Sequence, residues 1–407
     1  GELWDTHFPF PYLVVAGTRE RDLVSGRSTA LDFNYHQAHY EPNTRQFHGF
    51  RRSERIERSN GSLSRADVRI VFHYLMGQER LPGNGLEHAA LNGMLHRSET
   101  YSLDGSPDQN RPYRTEVSEY GLSVLGMLPD GRKRSFVFVA KHRLEDTERT
   151  NTGDLRGEEK TYTYDANGNV TKEQHRGYGT HAGVAQPERK RTSEISYANS
   201  TTAWLLDRPS RIVVRDEAGA LLSETRRYYD GPDFVGLPLG QTVRGLLSRE
   251  EALVLLQAEF DAHYAGMNAA TLGYAASNDV DGHLALFTQT GRCAYNTHGV
   301  KTAIQDELGN TSAYEHDADQ LFRIKLTDAA GVTQFAFDRA IGQPTRIAYA
   351  DGTQAQFAYD AQGRVTATAL PGESLADAPR QYRYDDANVP HARIAQLRFA
   401  PGAAGLA

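Results

Sequence analysis

The sequence is poor in several residue types, and each shortage excludes a class of protein. It has 1 cysteine, Cys293, in 407 residues, which excludes an intramolecular disulfide framework and a cysteine-rich zinc site. It has no apolar run of about 18 residues, which excludes an ordinary membrane-spanning helix. Positive charge is not in excess, because 45 Lys and Arg against 52 Asp and Glu leave a net charge of −7, and this argues against a dedicated nucleic-acid binder. The first residues show no signal peptide.

The abundant residues indicate a β-rich protein. There are 37 Gly, 21 Tyr and 16 Phe, against 4 Met and 2 Trp. Tyr and Phe favour strands and Gly favours turns. Alternating patterns at residues 31–35, 69–74 and 134–139 are typical of strands. The sequence therefore predicts an all-β, mainly antiparallel fold.

From residue 290 onward an aromatic phrase ending in Asn or Asp recurs. The Asn and Asp positions are Asn296, Asp317, Asp338, Asp360 and Asp385. Their spacing of about 21 residues is typical of a repeat architecture. An isolated earlier copy ends in Tyr164-Asp165, and a second turn signal, Asp-x-x-Gly, lies between the phrases. Gln320 stands where Gly is expected and Gly342 is one place late, which predicts irregular turns there.

Each repeat is expected to be a hairpin that shares an aromatic face with its neighbours, because one hairpin cannot bury that face alone. Aromatic residues two positions apart point to one side of a strand. The predicted wall aromatics are Tyr162, Tyr164, Phe335, Phe337, Phe357, Tyr359, Tyr382 and Tyr384. The predicted turn residues, which should set curvature and spacing, are Asp165, Gly168, Asp216, Gly219, Gly299, Asp328, Gly331, Asp360 and Gly363.

One segment breaks the strand pattern and predicts an inserted amphipathic helix over residues 248–264. Ser248 would be its N-cap, and Leu255, Leu256 and Phe260 recur at helical spacing. The sequence therefore predicts four segments along the chain. They are a β-rich N-terminal region without clear repeats (1–150), early repeats and connecting strands (151–247), the inserted helix and its loop (248–275), and the tandem repeats (276–407).

The sequence offers few candidates for chemistry. His36, His39 and His48 could bind a metal, but packed or surface histidines are the favoured interpretation. Residues 278–282 resemble the start of a calcium loop, yet no Glu follows at the twelfth position, which favours a plain turn. Cys293 is expected to be a small buried hydrophobe. We therefore expect no catalytic residue, no metal and no cofactor.

Longer phrases resemble a known family. The tyrosine–aspartate phrases resemble the YD repeats of the Rhs family and of the insecticidal toxin complexes. More specific phrases are similar to the B-subunit of those complexes. They are Phe8-Pro9-Phe10-Pro11, residues 35–40 and 45–50, and the long phrase at residues 228–240.

The resemblance implies an architecture and a function. In that family the B- and C-subunits form a hollow shell, in which a strip of β-sheet spirals around a cavity that holds the toxic C-terminal region of the C-subunit. A propeller in the B-subunit docks the shell on a translocating A-subunit. This chain would match the region after the propeller, as a structural, non-enzymatic part of a secreted toxin assembly. Its partners would be a C-subunit-like protein with its enclosed toxin and, through a propeller not present here, the A-subunit. Neither nucleic-acid binding nor direct membrane insertion is implied.

Two other functions remain open at this point. An adhesive surface module would use exposed Tyr and Arg to bind glycans or proteins. A hydrolase, the third hypothesis, would need a pair of carboxylates with perturbed pKa values in a closed cleft.

Overall fold

The computed structural model describes residues 10–23, 25–41, 45–59, 66–77, 89–129, 131, 133–149, 154–385 and 393–398. The chain divides into two compact units. Unit 1 comprises residues 1–195 and 214–222, and unit 2 comprises residues 196–213 and 223–407. The expected boundary at residue 150 lies inside unit 1.

Unit 1 is a sheet of long strands joined by hairpins. Its strands are β1 (Gly17–Arg21), β2 (Ser28–Glu41), β3 (Gln46–Arg58), β4 (Asp67–Tyr74), β5 (Leu95–Leu103), β6 (Arg114–Met127), β7 (Lys133–Thr147), β8 (Leu155–Tyr164), β9 (Val170–His181), β10 (Val184–Ala185) and the start of β11 (Arg189–Ser200). Each strand from β1 to β9 pairs antiparallel with the next, and both β10 and β11 pair with β9. The strands predicted at residues 31–35, 69–74 and 134–139 are confirmed as parts of β2, β4 and β7.

Unit 2 contains two kinds of β structure. The first part comprises β12 (Leu205–Asp216), β13 (Leu221–Tyr229), β14 (Leu247–Leu256), helix α1 (Gln257–His263), β15 (Tyr274–Asn278) and β16 (Leu284–Thr290). β14 pairs with β13 and with β16, and β15 pairs with β16. A single 3-10 turn, Ala269–Leu272, precedes β15.

The second part of unit 2 is a 10-stranded antiparallel sheet in chain order. Its strands are β17 (Arg292–Tyr295), β18 (Lys301–Gln305), β19 (Thr311–His316), β20 (Arg323–Asp328), β21 (Gly331–Asp338), β22 (Gln343–Ala348), β23 (Gln354–Tyr359), β24 (Val365–Ala369), β25 (Arg380–Asp385) and β26 (Arg393–Arg398). A bulge recurs just before the turns, for example between Ala358 and Tyr359. Bulges re-aim side chains and increase the twist of a strand.

The predicted fold class is confirmed as mainly antiparallel β with one inserted helix. Within the described ranges α1 is the one α-helix, and no helix there has the length and apolar character needed to cross a bilayer. Buried apolar side chains include Val71, Met76 and Leu91 in unit 1, and Leu286 and Phe287 in unit 2.

The helix prediction over residues 248–264 is wrong for its first half. Residues 247–256 form strand β14, and the helix begins only at Gln257. Ser248 is not an N-cap, because its hydroxyl donates to the main-chain oxygen of Asp230 at 2.7 Å. The apolar spacing was helical, but pairing with strands on both sides satisfies the backbone of β14, and this tertiary pairing overrides local propensity.

Candidate functional site: aspartate turns, tyrosine tethers and a buried ionic cluster

The turn at Asp165 shows how the predicted Asp-x-x-Gly signal folds. The carboxylate oxygen Oδ1 of Asp165 accepts the main-chain N–H groups of Asn167 and Asn169, both at 2.9 Å. Gly168 donates its N–H to the main-chain oxygen of Asp165 at 3.2 Å and has a φ of +86°. The Asp carboxylate stabilises the turn by accepting its main-chain N–H groups, and Gly takes the left-handed conformation that L-residues avoid.

The same arrangement recurs along the chain. Oδ1 of Asp360 accepts the N–H groups of Gln362 and Arg364 at 3.0 and 2.9 Å, and Gly363 has a φ of +79°. Asp216 with Gly219, and Asn296 with Gly299, form equivalent turns.

The turn at Asp328 is shorter than the others. Asp328 and Gly331 are paired across β20 and β21, so the loop has two residues, and Gly331 has a φ of +117°. A side chain on Gly331 would bring its Cβ to 2.7 Å from Cβ of Ala350. This glycine therefore also serves a close approach between neighbouring hairpins.

Gln320 adopts the conformation that the missing glycine would have taken. Its φ is +60°, and its N–H donates to the main-chain oxygen of Asp317 at 3.0 Å, as Gly does elsewhere. Asn296 Nδ2 donates to Gln320 Oε1 at 2.6 Å, which joins this turn to the turn at Asn296. The turn is nevertheless irregular, as predicted: Oδ1 of Asp317 accepts the N–H groups of Leu321 and Phe322, four and five residues on, so the loop is one residue longer than at Asp165.

A tyrosine hydroxyl tethers successive strands, a role that the sequence analysis missed. In each Tyr-Asp or Tyr-Asn phrase the tyrosine donates its hydroxyl to a main-chain oxygen on an earlier strand. The pairs at 2.8 Å are Tyr164 to Val139, Tyr229 to Pro209, Tyr295 to Leu247, Tyr359 to Pro344 and Tyr384 to Val365. Tyr35 and Tyr120 donate similarly to Val15 and Leu95. The available signal was the tyrosine directly before the turn residue, because a half-buried phenol needs a hydrogen-bond partner.

Burial favours the neutral, donating form of Tyr164, Tyr295 and Tyr359. It raises the pKa of Tyr164 and of Tyr359 above the ordinary value. Burial, together with the neighbouring Cys293, raises the pKa of Tyr295 to about 12. Since a phenolate has no proton to donate, these raised pKa values preserve the tethers of these three tyrosines at all physiological pH values.

The other predicted aromatics lie in strands with half-buried side chains. Tyr162 and Tyr164 have ring centroids 6.4 Å apart, and Phe337 stacks on Phe322 at 4.8 Å. Three more stand opposite residues of neighbouring strands: Phe335 opposite Ile347, Phe357 opposite Thr368 and Tyr382 opposite Gln396. Their role as a cavity wall stays a prediction.

A buried ionic cluster lies between β13, β14 and β16, and the sequence did not reveal it. The side chains of Glu224, Arg226 and Glu251 are 0%, 4% and 7% exposed. Arg226 Nε donates to Glu224 Oε1 at 2.6 Å, and the main-chain N–H of Val280 donates to Glu224 Oε2 at 2.7 Å. The guanidinium carbon of Arg226 lies 4.1 Å from the ring centroid of Phe287. A buried charge is tolerated only when it is paired and hydrogen-bonded in this way.

The cluster extends along β14. Tyr228 donates its hydroxyl to Glu251 Oε2 at 2.9 Å, and Gln289 Nε2 donates to Glu251 Oε1 at 2.8 Å. Arg249 lies over the Tyr228 ring, 4.1 Å from its centroid. Both carboxylates of the cluster thus have their oxygens engaged by donors, which suits a structural role.

Asp230 organises the long loop that joins β13 to β14. Its Oδ2 accepts the hydroxyl of Thr242 at 3.0 Å and the N–H groups of Val243, Arg244 and Gly245 at 2.7, 2.9 and 3.1 Å. Burial works against the charged form, but these donors outweigh it and lower the pKa of Asp230. The carboxylate is ionised at neutral pH and holds the loop as a fixed anion.

Two glycines of this loop, Gly231 and Gly236, are sterically required. A Cβ on Gly231 would lie 2.7 Å from the main-chain nitrogen of Leu237, and a Cβ on Gly236 would lie 2.7 Å from Cβ of Tyr228. Both also have positive φ, as do Asp230 and Phe234. The phrase at residues 228–240 therefore encodes a tightly packed loop around one half-buried anion.

The histidines considered as metal ligands lie near one another only in part. The rings of His39 and His48 are 5.5 Å apart, whereas His36 Nε2 lies 3.6 Å from Glu54. A separate trio, Asp279, Asp281 and His283, has ligand atoms within 4.8 Å of one another. There Oδ1 of Asp279 accepts the N–H groups of Asp281 and His283 and so closes a turn like that of Asp165.

The comparisons with known proteins agree with this geometry. Residues 1–77 match the family model of the insecticide toxin TcdB middle/N-terminal region, and residues 337–374 match that of the RHS repeat. The crystal structure of TcdB2-TccC3-Cdc42 matches with a TM-score of 0.75 at 16% identity, over 96% of this chain and 23% of that chain. The chain has the fold of a Tc toxin B-subunit shell.

Other solved structures give the same result. The Photorhabdus luminescens Tc holotoxin pore matches with a TM-score of 0.73 at 16% identity, over 93% of this chain and 22% of that chain. This chain thus spans less than a quarter of the length of these structures. No curated protein matches the sequence. The resemblance to the Rhs and TcdB families is confirmed. The phrase at residues 228–240 lies outside both matched segments, and Phe8 and Pro9 lie outside the described residues.

Proposed function

We propose that this chain is a section of the wall of a toxin-enclosing shell. The observation that carries the proposal is the fold match to TcdB2 in its complex with TccC3, which extends over 96% of the chain. A wall must resist opening rather than perform chemistry, and the tethers, turns and ionic cluster described above are of that kind. Neither matched family model describes an enzyme.

The mechanism we propose is containment. Main-chain hydrogen bonds join each strand to its neighbours, and the tyrosine tethers add a side-chain bond between strands at the repeats. In repeat architectures stability is approximately a sum of repeat terms and nearest-neighbour terms, so such a wall is stiff along its whole length. A polypeptide held behind it has too little volume to fold into a bulky native state.

The partners follow from the same proposal. A C-subunit-like YD-repeat protein would complete the shell, and its toxic C-terminal region would be the cargo. A translocating A-subunit would dock through a propeller outside this chain. The assembly would act outside the producing cell.

A chimera tests the proposal. The matching segment of TcdB2 is replaced by this chain, and the chimera is produced together with TccC3. We expect the two proteins to copurify and the C-terminal region of TccC3 to resist protease as it does with unaltered TcdB2. Copurification with a C-terminal region that is digested as fast as in free TccC3 would contradict containment.

A further inference from the structure

A groove of about 630 Å³ lies in unit 1 on one face of strands β8, β9 and β11. Gly177 of β9 stands opposite Glu158 of β8 and Arg189 of β11, and Gly179 stands opposite Arg156. Directly opposed residues of antiparallel strands project to the same face. Gly177 and Gly179 therefore form a floor without side chains, and arginines stand on the strands at either side.

Two arginines of this groove, Arg189 and Arg191, have no ion-pair partner among the described residues. The third, Arg156, stands opposite Asp146 of β7, whose carboxylate is held by Arg114. All three line the groove and are exposed. Lys190, in contrast, is engaged by Glu188 at 3.0 Å and by Glu217 at 3.3 Å. Glu158 lies in the groove next to His175, whose Nε2 is 3.6 Å from its carboxylate. The lining is therefore net positive.

The floor at Gly177 also lacks a cover that other strand glycines have. The added Cβ of Gly121 would lie 2.3 Å from the Phe138 ring, and that of Gly157 would lie 2.3 Å from the Tyr178 ring. Such rings shield the bare backbone of a glycine. At Gly177 the nearest atom to an added Cβ is the main-chain oxygen of Arg189 at 3.9 Å, so the space above it is open.

We propose that this groove binds a short acidic segment of an extended polypeptide. Arg156 and Arg189 stand on the two strands that flank β9 and are two residues out of register, which places their Cα atoms about 12 Å apart by ordinary strand geometry. Carboxylates lying over Gly177 and Gly179 are within reach of both side chains. Guanidinium groups bind carboxylates through two parallel hydrogen bonds. The groove volume lies within the range of about 300–1,000 Å³ typical of ligand sites.

The surroundings favour a short acidic peptide over a nucleic acid. Glu188, Glu194 and Glu217 lie on or next to the strands that form the rim, each with a lysine partner. A long polyanion would have to pass these carboxylates, whereas two or three acidic residues fit between them. The inference does not rest on the shell function, because the binding is measured on this chain alone.

The test is a titration of the full chain with a fluorescein-labelled Gly-Glu-Asp-Glu-Gly peptide, followed by fluorescence anisotropy. We expect saturable binding that the double substitution Arg156→Gln, Arg189→Gln weakens at least about tenfold, the usual worth of lost charged hydrogen bonds. Gly177→Val should also weaken binding strongly, because it fills the floor and leaves every charge in place. Arg51→Gln, at another exposed strand arginine of unit 1, is the matched control and should change the affinity less than twofold.

Three results would overturn the proposal. They are the absence of saturable binding, affinities of both groove variants within twofold of the wild type, and tighter binding of a short oligodeoxythymidylate than of the peptide. Circular dichroism melting of each variant shows that it is folded. Gly177 lies in a strand without positive φ, so valine suits its backbone there.

Discussion

The two parts of unit 2 are stabilised by different kinds of side-chain interaction. In the tandem hairpins from β18 to β26 the stabilising side-chain bonds are local: the tethers from Tyr359 and Tyr384 span 15 and 19 residues. In the part from β12 to β16 they are distant, since Glu224 meets the N–H of Val280 across 56 residues. The aspartates of the tandem turns are exposed or half-buried, whereas Glu224, Arg226 and Glu251 of the first part are buried.

The difference teaches where a substitution should matter. A tandem repeat has its own turn and tether, so a substitution in one repeat should destabilise only that repeat and its direct neighbours. The first part depends on single residues that join several strands, so the loss of one leaves several groups without partners. Substitutions of matched type in the two parts separate these cases.

The largest effect is expected from Glu224→Ala, because it leaves the Arg226 guanidinium buried without its main partner. Removing one member of a buried pair costs about 3 kcal/mol or more. The tandem control is Glu315→Ala, whose side chain is 62% exposed beside Lys325 and should cost less than about 1 kcal/mol. Urea unfolding measures both. Similar midpoints for the two variants would refute the contrast between the parts.

The next largest loss in the free energy of unfolding, about 2 kcal/mol, is expected for Asp230→Asn. This substitution removes the charge from an oxygen that accepts four hydrogen bonds. The tandem counterpart, Asp360→Asn, keeps an oxygen for the two turn N–H groups and should cost less.

Acid unfolding sharpens the same comparison. Since the folded state lowers the pKa of Asp230, the stability it confers is present above the unfolded value of about 4 and is lost as the pH falls toward the folded pKa. The fall in stability below pH 4 should be shallower in Asp230→Asn than in the wild type. An equal loss of stability below pH 4 in Asp230→Asn and in the wild type would contradict the role of the Asp230 carboxylate as a fixed anion.

Gly363→Val tests a tandem turn alone. The nearest atom to an added Cβ is Cβ of Ile341 at 3.8 Å, so the cost arises from the φ of +79° and not from a clash. We expect a loss of about 1 to 2 kcal/mol. Gly363→Asn is the control, because Asn tolerates the left-handed region better and should lose less. A melting temperature of Gly363→Val equal to that of the wild type would exclude this role of Gly363.

The smallest effect is expected from Tyr359→Phe, which removes one tether and should cost about 1 kcal/mol. Because burial raises the pKa of Tyr359, the wild type should lose this stability as the pH rises above about 10, the unfolded value, toward the folded pKa. The variant should not show this part of the loss of stability at alkaline pH, because it lacks the Tyr359 hydroxyl. Tyr349→Phe, at a tyrosine that is 39% exposed, is the control and should match the wild type.

The sequence predicted what depends on short-range signals. The turn glycines, the Asp residues that close the turns and the alternating strands are each encoded within a few residues. The error at residues 248–256 came from the same reliance, because the apolar spacing of β14 is helical and only its pairing with β13 and β16 makes it a strand.

The ionic cluster could not be found by any local rule. Glu224 and Glu251 are ordinary charged residues in the sequence, and nothing nearby shows that both will be buried next to Arg226. A partial signal for the tethers was present in the sequence, since five of the seven tyrosines directly precede an Asn or Asp. The acceptor, however, is distant in the sequence and its position is fixed only by strand register.

The tyrosine tethers all run in one direction along the chain. In each of the seven bonds the accepting carbonyl precedes the tyrosine in sequence, as in Tyr164 to Val139 and Tyr384 to Val365. A polypeptide emerging from the ribosome therefore always finds the acceptor already synthesised. Each hairpin can lock onto the one before it during translation, without waiting for the C-terminal residues.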